Sequence, residues 1–254
     1  MLLAIDIGNT LTDFGFFEGE ELKKKFSIRS EANRSHDEIV ASFSLLLSQT
    51  GIEEKEIHRV IISSVVPSLL TIYRDLSQEL FGVSARVVGP GLKTGVRVNV
   101  DEPKEVGADL IADSAGALSR FGNCCLIADL GTATKILLID QSGSFAGCTI
   151  GAGLGISLDA MVSKTAALPE ISLQIPAKII GKNTVDCMNS ALTYGSAFQI
   201  RALSDAIEKE VGYPLRRILT GGYSRYIATL LPEFEHEPDL CLIGLNAIDR
   251  RNQK

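Results

Sequence analysis

The chain has 254 residues, 45% of them hydrophobic, and a formal net charge of −6. That length suits one large or two modest domains with a sizeable core. The acidic balance argues against a nucleic-acid surface, which needs a basic footprint, and no segment has the length and apolarity of a membrane span. The start, Met1 to Asp6, is too short for a signal peptide and has no basic region before it. The five cysteines, Cys124, Cys125, Cys148, Cys187 and Cys241, are odd in number and lack metal-site spacing. They read as reduced core thiols of a cytoplasmic protein. His36, His58 and His236 show no mutual spacing for zinc and read as surface residues.

In chain order, residues 1 to 20 read as a hairpin and Lys23 to Arg29 as a third strand, with Lys23-Lys24-Lys25 as a solvated edge. Asp37 to Gln49 has helical periodicity, placing Ile39, Val40, Phe43, Leu46 and Leu47 on one face. The run from Val60 to Val66 is a strand stopped by Pro67, and Ser68 to Phe81 is a helix. Ala85 to Val88 is a strand closed by Gly89-Pro90-Gly91, and a helix runs from about Val106 to Phe121. A second lobe opens near Asn123, so the expected domains are 1–121 and 122–254. It carries a hairpin around Gly143, a glycine-rich stretch from Gly147 to Gly155, and helices over Ser157–Ala166 and Cys187–Val211. The segment Leu240 to Leu245 is expected to end the ordered chain. Strands alternating with helices after an opening meander predict an α/β fold with mixed sheets flanked by helices.

Leu2-Leu3-Ala4-Ile5 runs straight into Asp6-Ile7-Gly8-Asn9-Thr10. An apolar strand, a glycine turn and a carboxylate at its mouth can hold a magnesium-bound phosphate. Glycine lets the backbone approach, Asn9 and Thr10 can donate to phosphate oxygens, and the carboxylate can hold Mg²⁺. An ordinary hairpin can begin the same way. Leu126 to Thr134 repeats the pattern, with Asp129, Gly131, Thr132 and Thr134. Each copy continues into a second strand, Phe14–Phe17 or Ile136–Ile139, and then a turn, Glu18-Gly19-Glu20 or Gln141-Ser142-Gly143. Such a duplication predicts two similar lobes with a nucleotide between them. A third glycine turn, Thr220-Gly221-Gly222, could lie flat against an adenine base. Asp109 opens a helix, where an acid can simply complement the dipole. It can equally be the general base that a kinase needs to take a proton from its alcohol.

The chain resembles the type III pantothenate kinases, of the superfamily of sugar kinases, heat-shock ATPases and actin. The resemblance spans nearly the full length. It rests on Asp6 to Thr10, Ser64-Val65-Val66-Pro67, Lys93-Thr94-Gly95, Pro103 to Asp109, Asp129 to Thr134, Thr165 to Pro169, Gly181-Lys182-Asn183-Thr184, Thr220-Gly221-Gly222 and Leu242-Ile243-Gly244-Leu245. It implies two RNase H-like lobes of the actin-like ATPase fold, a dimer, and phosphorylation of pantothenate by ATP at the head of coenzyme A synthesis. The ATP contacts it implies are Asp6, Ile7, Gly8, Asn9, Thr10, Leu11, Thr12 and Asp13, with Gly131, Thr132, Thr220, Gly221 and Gly222. Asp6 would hold Mg²⁺, Asp129 a monovalent cation (K⁺ or NH₄⁺), and Asp109 the acceptor's proton. Val100, Gly107, Ala108, Asp109, Leu110 and Thr184 would line the pantothenate pocket, Thr184 reaching in from the neighbouring subunit.

Several positions depart from the family. Leu110 stands where the family has arginine, Val100 where it has tyrosine, Leu11 where it is polar, Gly151-Ala152-Gly153 where it has a proline, and Lys135 where it has threonine. Leucine cannot form arginine's bidentate pair with a carboxylate. Three readings stay open: a kinase active alone or as half of a heteromer with a homologous subunit, a degenerate subunit, and a kinase for another alcohol. Arg97, Lys93 or Lys135 could also supply the lost charge.

Overall fold

The computed structural model describes residues 1–253. The first elements are β1 (Leu2–Ile7), β2 (Leu11–Glu18), β3 (Glu21–Arg29), α1 (His36–Thr50), β4 (Arg59–Ser64), α2 (Pro67–Phe81), β5 (Arg86–Val87), β6 (Arg97–Val98) and α3 (Ala108–Arg120). They are followed by β7 (Cys125–Leu130), β8 (Ala133–Ile139), β9 (Ser144–Ala152), α4 (Leu154–Lys164), α5 (Thr184–Val211), β10 (Arg216–Thr220), β11 (Glu235–His236) and α6 (Leu240–Arg251). The chain forms two compact units. One takes Met1–Arg97, Asp101–Arg120 and the chain from Leu240 onward; the other takes Val98–Val100 and Phe121–Asp239. Helix α6 groups with the first unit, and it continues past Leu245 to Arg251.

In the first unit the sheet order is β3-β2-β1-β4-β5. Leu2, Leu3, Ala4, Ile5 and Ile7 of β1 are all fully buried. A strand covered on both faces reads as a continuous apolar run rather than an alternating one. One face packs Phe14 and Phe16 with Phe43 of α1 and Tyr73 of α2, the Phe14 and Phe43 rings 5.2 Å apart. Helix α1 begins in a capping box between Ser35 and Glu38 and ends at Gly51 with φ of 79°. Pro67 opens α2, where its missing N–H costs nothing.

Helices α3 and α6 of the same unit meet through glycines. A Cβ on Gly244 would lie inside the Ala112 carbonyl, and one on Gly116 would strike the Leu240 carbonyl. Only glycine permits that approach. Asp249 of α6 is fully buried and ion-paired to Arg59 of β4 and Arg86 of β5. A buried carboxylate needs such partners.

In the second unit the order is β11-β10-β7-β8-β9, with β6 added outside β9. Counted from the strand that bears the Asp turn, both sheets run third, second, first, fourth, fifth. The first three strands form an antiparallel meander and the last two add in parallel. The fold is the duplicated α/β arrangement of mixed sheets expected from the sequence. The equivalence extends to single residues: Asp6 opposes Asp13 and Ser63, and Asp129 opposes Lys135 and Thr220.

Element ends differ from the periodicity where caps decide them. Helix α5 starts at Thr184 rather than Cys187, because the Asn183 side chain accepts from Asp186 N at 2.9 Å. Helix α3 starts at Ala108 rather than Val106, after a 3₁₀ turn over Pro103–Glu105. Helix α4 spans Leu154–Lys164 rather than starting at Ser157. All five cysteines are free, but only Cys125 is fully buried; Cys148 and Cys187 are exposed, so the thiols are not a core set. His58 and His236 are exposed and His36 is half-buried. No helix among the described residues is long and apolar enough to cross a membrane.

Candidate active site

One group of candidate residues belongs to the first unit. The Asp6 turn is indeed a hairpin, closed by Gly8 N donating to Leu11 O at 3.0 Å. Hairpin and phosphate loop are therefore not alternatives here, since the tip presents exposed Asn9 and Thr10. Ile7 and Thr12 face the core, and Thr12 Oγ1 lies 2.9 Å from Ser30 Oγ. Those two residues can offer a ligand backbone only. Leu11 is 42% exposed.

Asp6 stands behind this tip with Oδ1 buried and lacking a hydrogen-bond partner. Burial pushes its carboxyl up to about 7. The Cys241 thiol opposes that shift, while the charges of Asp109 and Asp13 add to it. A buried carboxyl with an orphaned oxygen and acidic neighbours is a suitable seat for a divalent cation. Among the described residues, no group of three or more His, Cys, Asp or Glu could hold a metal ion by itself. Mg²⁺ takes one or two carboxylates and completes its shell with phosphates and water, so the single Asp6 carboxylate could hold it.

Asp109 lies in the first turn of α3. Gly107 explains how its carboxylate is held: a Cβ there would collide with Asp109 Oδ1, with Val65 behind it. The carboxylate folds back over a bare backbone, within electrostatic reach of Asp6. The neighbouring Leu110 is buried, only 7% exposed, so the position after Asp109 is an apolar core contact rather than a cationic one. Ala108 is half-buried beside them.

A separate group of candidate residues belongs to the second unit. Asp129 ends β7 beside the turn Gly131-Thr132. Gly153 backs this turn, because a Cβ there would strike the carbonyls of Thr132 and Gly131. Gly221, at φ of 88°, leaves no room for a Cβ against Asp129 Oδ1 and Leu130. Tyr223 N then donates to Leu130 O at 2.9 Å. The structure thus brings Asp129, Gly131, Thr132, Thr220 and Gly221 together, with Gly222 next in the chain. It also places Lys135 Nζ 2.7 Å from Asp129 Oδ2, so Lys135 is committed to that carboxylate. Thr184 is exposed at the start of α5, and Val100 is half-buried at the unit's edge. Sequence reasoning missed Cys241 as a neighbour of Asp6, and nothing in its local sequence marks it.

A sequence profile described as type III pantothenate kinase matches residues 2–206. A type III pantothenate kinase of Dehalococcoides mccartyi is 40% identical over 99% of this chain and 98% of its own. One from Moorella thermoacetica is 35% identical over 99% and 100%. Among solved structures, a conserved putative Baf family transcriptional activator from Campylobacter jejuni superposes with a TM-score of 0.62 at 16% identity, covering 98% of both chains. Component A of the Acidaminococcus fermentans (R)-2-hydroxyglutaryl-CoA dehydratase superposes at 0.58 and 14% identity, covering 99% of both. At those identities the structures speak for the fold alone.

Proposed function

The chain belongs to the type III pantothenate kinase family, and from that premise we propose that it transfers the γ-phosphoryl group of ATP to the terminal hydroxyl of pantothenate, opening coenzyme A synthesis. One observation gives this reading its chemistry: the Asp109 carboxylate lies within electrostatic reach of the buried Asp6 carboxyl in one unit. Asp109 takes the proton of the acceptor hydroxyl, whose oxygen forms the new P–O bond while the bond to the β-phosphate oxygen breaks and ADP leaves. Asp6 would hold Mg²⁺, which when bound would neutralise charge on the phosphate oxygens. Asn9 and Thr10, with the backbone of Ile7, Gly8, Leu11, Thr12 and Asp13, meet the phosphates from one turn. Gly131 and Thr132 meet them from the other, and Thr220-Gly221-Gly222 lies against the base.

Gly107 and Ala108 border the acceptor. Gly107→Ala should lower kcat by roughly 10- to 100-fold, because its methyl displaces the Asp109 carboxylate. The melting temperature should barely move, since the collision is with the end of a side chain. A normal kcat would remove Asp109 from that position.

We further assign the chain to the cytoplasm, on its free thiols, and to a dimer in which Thr184 serves the neighbouring pocket. Ile150 is 67% exposed, Phe198 47% and Val185 38%, all in the second unit. Covering these exposed apolar side chains favours association. Sedimentation at micromolar concentration should give a dimer; a monomer contradicts it.

A second reading has Leu110 in its favour. Leu110 supplies no guanidinium for the acceptor's carboxylate, so the partner in the dimer could be a homologous subunit that does. Incubating the chain with ATP, Mg²⁺ and pantothenate and following ADP and phosphopantothenate tests both. Product from the chain alone supports the first. No product alone, with product on adding the homologous subunit, supports the second.

A further inference from the structure

The two Asp turns hold equivalent places in the duplicated sheets, yet their carboxylates meet opposite charge. Asp6 faces Asp13 across β1 and β2, and its Oδ1 has no hydrogen-bond partner. Asp129 faces Lys135 across β7 and β8, with Lys135 Nζ 2.7 Å from Asp129 Oδ2. The Lys135 and Asp129 side chains are only 15% and 11% exposed. Directly opposed residues of an antiparallel pair bring their side chains together by register alone. The ion pair is therefore built into the hairpin rather than assembled at a surface, and salt screens it little.

The monovalent cation expected at Asp129 does not fit this arrangement. Its carboxylate already carries an ammonium as countercharge, and Gly221 packs against its Oδ1. A second cation would press against Lys135 in a poorly solvated place. We propose that Lys135 Nζ replaces the monovalent cation in this chain, so that nucleotide binding and phosphoryl transfer need no K⁺ or NH₄⁺. A carboxylate beside a phosphate-binding turn repels its ligand unless neutralised, and a tethered ammonium supplies the same charge as NH₄⁺ without a binding equilibrium. Asp6 then remains as the carboxylate that recruits a cation from solution. This rests on the reading that the Gly131-Thr132 turn meets the nucleotide.

The test is ATP binding by calorimetry, with turnover in parallel, in a buffer whose monovalent cation is choline and then with KCl or NH₄Cl at about 100 mM. For the wild-type chain, Kd and kcat should change by less than about twofold. Lys135→Thr and Lys135→Met leave the Asp129 charge uncompensated. Both should bind ATP about tenfold or more weakly in choline and recover with K⁺ or NH₄⁺. Their melting temperatures should rise with KCl where the wild type's does not, a readout that needs no activity. Lys135→Arg, which keeps the charge, should stay insensitive to K⁺. A wild-type chain whose ATP affinity rises about tenfold with K⁺ overturns the proposal. So do Thr and Met variants that ignore K⁺ in both binding and melting. ATP binding is read without the acceptor, so a chain inert toward pantothenate that shows the predicted K⁺ pattern loses the acceptor assignment and keeps this one.

Discussion

Asp109→Asn should reduce kcat by roughly 10²- to 10⁴-fold, the range that loss of a positioned general base gives. Its affinity for Mg²⁺ and ATP should stay within about threefold of the wild type's. Asparagine keeps the shape over Gly107 but cannot take the hydroxyl proton. The protein should also tolerate it, because Asp109 lies in the first turn of α3 and is only half-buried. Losing the charge removes one source of repulsion on Asp6, whose own burial is the larger cause of its raised pKa. Single-turnover kinetics separate the chemical step from binding. A variant with near-normal turnover would leave Asp109 as nothing more than a helix-dipole charge.

Asp6→Asn should separate stability from activity in opposite directions. The Asp6 carboxyl has its ordinary value, 3.8, in the unfolded chain and is raised to about 7 in the folded one. Between those values the folded protein keeps a proton that the unfolded chain releases, so this group's contribution to stability falls as pH rises through that window. Below the window it costs nothing, and above it the cost is complete. The full shift corresponds to about 4 kcal/mol, and partial exposure reduces it to roughly 1–3 kcal/mol. Asparagine removes the charge and hence the penalty. At pH 8 the variant should melt about 2–10 °C above the wild type, and near pH 4 the gain should vanish. The same substitution should lower kcat/KM by roughly 10³-fold or more, since an amide holds Mg²⁺ poorly. Melting curves across pH, with and without Mg²⁺, check both halves. A variant less stable than the wild type at pH 8 would mean that Asp6 is a structural anchor rather than a strained metal ligand.

The duplicated turns were legible because each is local: an apolar run, an acid, a glycine and hydroxyls within ten residues of chain. What stayed hidden depends on partners distant in sequence. Gly116 and Gly244 look like ordinary helical glycines until α3 and α6 are set against each other. That packing draws the C-terminal helix into the first unit and brings Cys241 to Asp6. Helix α5 begins before its apolar period because Asn183 caps it, a polar signal that hydrophobic spacing does not contain. Lys135 was visible as a departure from the family, but its partner depends on hairpin register. The turn between β7 and β8 places it opposite Asp129, and its charge is committed to that carboxylate. Leu110 stands where the resemblance places arginine, and in this chain it is buried, only 7% exposed.

The family assignment is tested most directly by one incubation of the purified chain with Mg²⁺, ATP and pantothenate, resolved by mass spectrometry. Phosphopantothenate should appear in step with ADP, one for one, and both should disappear when Asp109 is changed to Asn. ATP turned over with another alcohol but never with pantothenate, alone or beside a homologous subunit, would contradict the assignment.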